Sequence, residues 1–170
     1  MKVKTEFISN IIPDQYSKKA TLENIYKKQP VNSFPFSVEE IPGSTQYIAF
    51  TFIDHDAVPF CGFSWIHWLV ADVPVNDNVL SFPENFSRGR SEKVQGTNSF
   101  ASVFIGENDP RITQAYVGPT PLDEDHLYTL TVYALNDKLN LEQGFYLNDL
   151  YKALASKVVD QVEINLTGKY

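Results

Sequence analysis

Three segments dominate what this chain can fold into: YIAFTFI (Tyr47 to Ile53), WIHWLV (Trp65 to Val70) and YTLTVYAL (Tyr128 to Leu135). Each is apolar at nearly every position and rich in aromatic and β-branched residues. Side chains alternate faces along a strand, so a run apolar on both faces needs cover on both sides. These runs therefore read as central strands of a sheet. Two further segments carry one wet face. In KVKTEFI, Val3, Thr5 and Phe7 alternate with polar residues, and in QVEINL, Val162, Ile164 and Leu166 alternate with Gln161, Glu163 and Asn165. The ten prolines and eight glycines punctuate short runs, as β-rich chains require.

One convincing amphipathic helix is expected, in NDLYKALASKVVD. Leu147, Leu150, Tyr151, Leu154 and Val158 recur at helical spacing, with Asn148 or Asp149 as the cap. A single such helix packs on a sheet. A shorter helical turn is expected between Asp14 and Ala20. The polar stretch from Pro83 to Arg111 reads as a long surface loop.

With 170 residues and no dividing linker or repeat, the expectation is one domain over 1–170. The formal charge of −7 and the lack of a basic run argue against nucleic acid as a partner. The one cysteine, Cys61, excludes an internal disulfide. No apolar run reaches membrane-spanning length, and the first residues lack a signal-peptide pattern, so the default expectation is a soluble cytoplasmic protein.

Against that apolar background the ionisable groups stand out. Strict alternation in WIHWLV puts Trp65, His67 and Leu69 on one face and Ile66, Trp68 and Val70 on the other. A histidine on so apolar a strand needs a hydrogen-bond partner, and spacing alone favours a core histidine bonded to a backbone carbonyl. His126 and Tyr128 share a face at the start of another strand, just after AYVGPTPLDED. Asp54 and Asp56 sit where YIAFTFI meets a proline turn. If these strand ends are neighbours, they build a small pocket.

The ordered set DHDA, a proline, WIHW, GTNSF, AYVGPTP and HLYTLTVYAL resembles the phosphatidylethanolamine-binding protein family, also called Raf-kinase-inhibitor-like, and its bacterial branch in particular. The resemblance runs from about Tyr47 to the closing LTGKY. It implies a mostly β fold with a large central sheet, a smaller sheet and a C-terminal helix. It also implies a pocket for phosphate-like anions or phosphorylated headgroups; the expectation is a non-enzymatic binder with no cofactor, metal or catalytic residue. Carried over by position, the ligand-binding set is Asp54, Asp56, Pro59, Trp65, His67, Gly118, Pro119, Thr120, Pro121, His126 and Tyr128. The chain departs from the family pattern at His55, at Val58, at Leu122 and in the span VFIGENDPRITQ.

The residue chemistry is compatible with that set. Protonated His67 or His126, the Tyr128 hydroxyl and backbone N–H groups can meet a phosphate. The aspartates suit other roles, such as orienting a histidine, raising its pKa, holding a turn, or accepting an ammonium group like that of phosphoethanolamine. Three other readings stay open. The Asp/His set could ligate a metal in an enzyme, although no metal-binding spacing is present. Cys61 or Ser64 could act as a nucleophile with His67, without a nucleophile-elbow motif. The segment Phe86 to Gln95, with Arg88 and Arg90, could contact a protein partner as a kinase or protease inhibitor would. A homodimer is compatible with the aromatic content.

Overall fold

The three apolar runs become the centre of one antiparallel sheet. In the computed structural model, which describes residues 1–170, β5 (Tyr47–Asp54) lies between β6 (Trp65–Pro74) and β9 (His126–Leu135). The order across the sheet is β10-β9-β5-β6-β8, with β8 at Val94–Gln95 and β10 at Val158–Gly168. A second sheet has the order β1-β4-β7, from Lys2–Lys4, Phe36–Glu39 and Leu80–Phe82. A small hairpin, β2 (Ile25–Tyr26) and β3 (Gln29–Pro30), stands apart. Two one-turn helices, α1 (Val58–Cys61) and α2 (Pro110–Thr113), lie in the loops.

The two larger sheets enclose the main core, in which Phe36, Val38 and Phe82 meet Phe50, Phe52, Trp68, Val132 and Leu166. The Phe36 and Phe82 rings stack with centroids 4.4 Å apart, and Phe50 meets both edge-on. The other face of the large sheet is closed by helix α3 (Leu147–Leu154). Its Leu150 and Leu154 pack with Ala49, Leu69, Tyr133 and Leu135. Burial on both faces is therefore what the continuous apolar runs required. The mostly β architecture of a large sheet, a smaller sheet and a helix near the C-terminus is as expected.

Three expectations need correction. The helix is shorter than its periodicity suggests: it ends at Leu154, and Val158 instead opens β10 opposite Leu135. Its first turn begins after Tyr146, whose N–H donates to Asp149 Oδ2. The stretch from Pro83 to Arg111 is no plain surface excursion, since Phe86, Ser87, Gln95, Asn98, Ser99 and Phe100 are buried. The polar side chains there serve the fold: Asn98 Nδ2 donates to the carbonyls of Ile112 and Ala115, and its Oδ1 accepts from Phe100 N–H. Arg88 also faces inward, donating to the carbonyls of Val31, Tyr116 and Arg111, and burial pushes its pKa down to about 10.

The third correction concerns β6. Phe52 pairs with Trp68 while Ile53 pairs with Ile66, so His67 is the extra residue of a β-bulge. The bulge breaks the strict alternation. Ile66 and Leu69 face the helix side, whereas His67 joins Trp68 and Val70 on the main-core side, with its ring against Phe52 and Tyr128. Ser99 Oγ accepts from Ile66 N–H at 2.8 Å and so satisfies the backbone beside the bulge.

Candidate functional site

The bulge, the end of β5 and the start of β9 converge on one cavity of about 620 Å³. Asp54, Trp65, His67, Thr120, Pro121, His126 and Tyr128 all line it. Both histidine rings pack against Tyr128, at centroid distances of 5.1 Å for His67 and 6.4 Å for His126. Phe60, Phe63, Phe100, Phe104 and Ile105 form an apolar wall beside Trp65. Lys28 from the turn of the β2–β3 hairpin, Gln29 at the start of β3, and Ala57, Cys61, Leu122 and Asp123 also line it.

The two histidines are held in opposite states. His67 is buried, and its Nδ1 lies 2.7 Å from the carbonyl of Val117. A carbonyl only accepts, so Nδ1 carries the proton. Burial drives the His67 pKa down to about 4, against a smaller upward pull from that carbonyl and from Asp54. The ring is therefore neutral near pH 7, and Nε2 has a lone pair for a donor in the cavity.

His126 lies between two carboxylates. Its Nδ1 is 2.8 Å from Asp54 Oδ2, and its Nε2 is 2.9 Å from Asp123 Oδ1. Burial opposes its charge, but the two carboxylates outweigh burial and raise its pKa. With a carboxylate acceptor at each nitrogen, the imidazolium form fits best. Asp54 is itself fixed, since its Oδ1 accepts from Ala57 N–H at 3.0 Å. Burial first, and then the Asp54 carboxylate, push the Tyr128 phenol far above the ordinary range, so it remains a neutral hydroxyl.

Four members of the set carried over by position lie outside the lining. Asp56 is exposed, and its Oδ2 accepts from Leu127 N–H at 2.8 Å, tying the turn after β5 to β9. Pro59 is exposed in α1. Gly118 meets the first segment of the chain: a Cβ built there would sit 2.0 Å from the Tyr16 carbonyl oxygen. Pro119 accepts from Lys18 N–H through its carbonyl. These residues shape the loops around the cavity.

Sequence reasoning missed Lys28 and Asp123. Lys28 sits with Lys27 in a two-residue hairpin turn, both at positive φ, 67° and 47°. Lys27 pairs with Glu107 and Asp109, while Lys28 makes no ion pair and lines the cavity. Nothing in the local pattern marks that lysine, because the hairpin reaches the site only through tertiary packing. Asp123 carries a local signal, being three residues before His126 at the end of a rigid turn.

The contacts of Ser64 and Cys61 differ from those a nucleophile paired with His67 requires. Ser64 Oγ is 2.9 Å from His55 Nδ1, and Cys61 Sγ contacts the Phe63 carbonyl, so neither is paired with His67. No group of three or more His, Cys, Asp or Glu side chains is arranged to hold a metal ion. No helix is long and apolar enough to cross a membrane.

Comparison with known proteins gives a consistent picture. Residues 5–169 match the sequence model of the family described as phosphatidylethanolamine-binding protein. The uncharacterized protein YxkA of Bacillus subtilis (strain 168) is 48% identical over 159 residues, covering 92% of both chains. A UPF0098 protein of Chlamydia pneumoniae is 29% identical over 140 residues, covering 80% of both. A Chlamydia trachomatis crystal structure, described as a phosphatidylethanolamine-binding protein homolog, superposes with a TM-score of 0.68 at 25% identity, over 94% of this chain and 88% of that one. The Escherichia coli protein YbcL shares the fold, with a TM-score of 0.66 at 22% identity over 88% and 90% of the two chains. Together with the sheet order and the cavity, the family match over nearly the whole chain places it: this protein belongs to the phosphatidylethanolamine-binding protein family.

Proposed function

We propose that this protein is a non-enzymatic binder of a small phosphate-like anion, free or as a phosphorylated headgroup, in the cavity between His67 and His126. The observation that carries the reading is the mixed polarity of that cavity. Lys28 and an imidazolium at His126 supply positive charge beside the Asp54 and Asp123 carboxylates that engage its two ring nitrogens, while the neutral His67 presents an acceptor nitrogen. A phosphate monoanion or a phosphomonoester monoanion has both kinds of partner to offer. Its ionised oxygens suit the cations, and its P–OH suits His67 Nε2. The surrounding aromatic wall lowers the local dielectric and strengthens each contact. Asp54 acts through His126 by holding the ring and its charge.

The same lining disfavours sulfate, which has no proton to donate near pH 7 and would face both His67 Nε2 and the nearby carboxylates. Inorganic phosphate should therefore raise the melting temperature in a saturable way, and sulfate at matched ionic strength should raise it much less. Equal protection by both anions would reduce the effect to a general salt response and overturn the reading. The protein-inhibitor reading of Phe86 to Gln95 has weaker support, because Arg88 is committed to three backbone carbonyls.

A further inference from the structure

This inference rests on the anion-binding reading and concerns what occupies His126 before a ligand arrives. The ring is approached from two sides, and the two approaches differ. Asp54, at the buried end of β5, is 5% exposed and has a second anchor in Ala57 N–H. Asp123 lies in the loop after Pro121, its side chain is 48% exposed, and its one side-chain partner is His126 Nε2. Asp123 also lines the cavity itself. Its carboxylate oxygen therefore sits where an oxygen of a bound anion would meet that nitrogen.

We propose that Asp123 is a built-in competitor: its carboxylate caps His126 Nε2 in the free protein and must swing out for an anion to bind. A carboxylate is a fair mimic of one edge of a phosphate, with two charged oxygens in a plane. Its exposure means that little packing is lost when it leaves. A bound anion inherits the same nitrogen and also gains Lys28. The competitor sets a threshold, so weakly charged or poorly shaped anions fail to displace it, and Asp123 acts as a specificity-determining residue for this site. The charged or titratable groups facing His126 are Asp54 from β5, His67 from β6, Tyr128 from β9 and Asp123 from its own loop, with Lys28 across the cavity.

The test is calorimetric titration of inorganic phosphate at pH 6, where His126 stays charged, into the native protein, Asp123→Ala and Asp123→Asn. Melting temperatures check that each variant is folded. Asp123→Ala should bind about tenfold more tightly or better. Asp123→Asn, which keeps an acceptor without the charge, should fall between. A ring-nitrogen NMR titration without ligand should show the His126 pKa lower in Asp123→Ala than in the native protein. Unchanged or weaker phosphate binding by folded Asp123→Ala overturns the competitor and leaves the anion site standing. An unchanged His126 pKa overturns it as well, since the contact would then be absent. No phosphate binding by any of the three proteins overturns the anion reading and the competitor together. If Asp123→Ala does not fold, Asp123→Asn decides between the same outcomes.

Discussion

Asp54 and His126 stand 72 residues apart in the sequence and join the ends of adjacent strands through a 2.8 Å contact, with both side chains 5% exposed. β5 and β9 bring them together because Asp54 pairs with Tyr128 in the sheet register. A pair this deeply buried adds little over an apolar pair of similar size, but removing one partner leaves a charge without compensation. His126→Ala should therefore cost about 3–5 kcal/mol, read by urea unfolding. A loss under about 1 kcal/mol would mean that Asp54 is solvated in the folded state.

The two cavity histidines give opposite pH dependence. The folded pKa of His126 is raised, so its contribution is fully present below the unfolded value and is lost as pH rises through the folded one. His67 behaves in reverse. Its folded pKa is about 4 against 6.5 for a free ring, so the unfolded chain takes up the proton first. Its neutral burial therefore costs stability as pH falls from about 6.5 to about 4, on the order of 3 kcal/mol at the acid end. The stability gap between the native protein and His67→Gln should narrow as unfolding is measured at pH 7, 6 and 5. A constant gap would show that His67 is not buried neutral.

Gly118 is fixed by a close approach rather than by the ligand. With the Tyr16 carbonyl oxygen 2.0 Å from a would-be Cβ, Gly118→Ala forces the loop Gly118 to Pro121 away from the first segment. The expected loss is about 1–3 kcal/mol, with weaker phosphate binding because Thr120 and Pro121 move with it. A variant with native stability would contradict the packing role.

Much of the sheet is legible in the sequence, and the site only partly. YIAFTFI and YTLTVYAL announce buried central strands because a strand covered on both faces has no polar side to show. His67 is visible as an anomaly, but the face it occupies is not. The bulge arises from the pairing of Phe52 with Trp68 and Ile53 with Ile66, a register that no window of β6 contains. Val158 reads as helical because its spacing from Leu154 fits a helix and a strand equally well, and pairing with Leu135 decides for the strand. Polar residues such as Arg88 and Asn98 read as surface because composition cannot show that buried carbonyls await them. The Asp54–His126 contact lies within reach of the family resemblance, whereas Lys28 does not.

Lys28 carries a backbone cost for its position. At φ 67° it occupies a left-handed conformation that glycine adopts without penalty. Lys28→Gly should leave the protein as stable or up to about 1 kcal/mol more stable, while weakening phosphate binding several-fold. Thermal unfolding and calorimetry on the same sample separate the two effects. Unchanged binding would remove Lys28 from the site.

The most direct measurement follows the ring nitrogens of the three histidines by NMR as inorganic phosphate is added at pH 6. His55 is the internal control, exposed on the turn after β5 and bonded to Ser64. The account predicts that His67 and His126 shift together along one saturating curve, with His67 Nε2 moving toward a hydrogen-bonded value, while His55 stays still. Shifts of equal size at all three rings, or none at His67 and His126, would contradict an anion site between them.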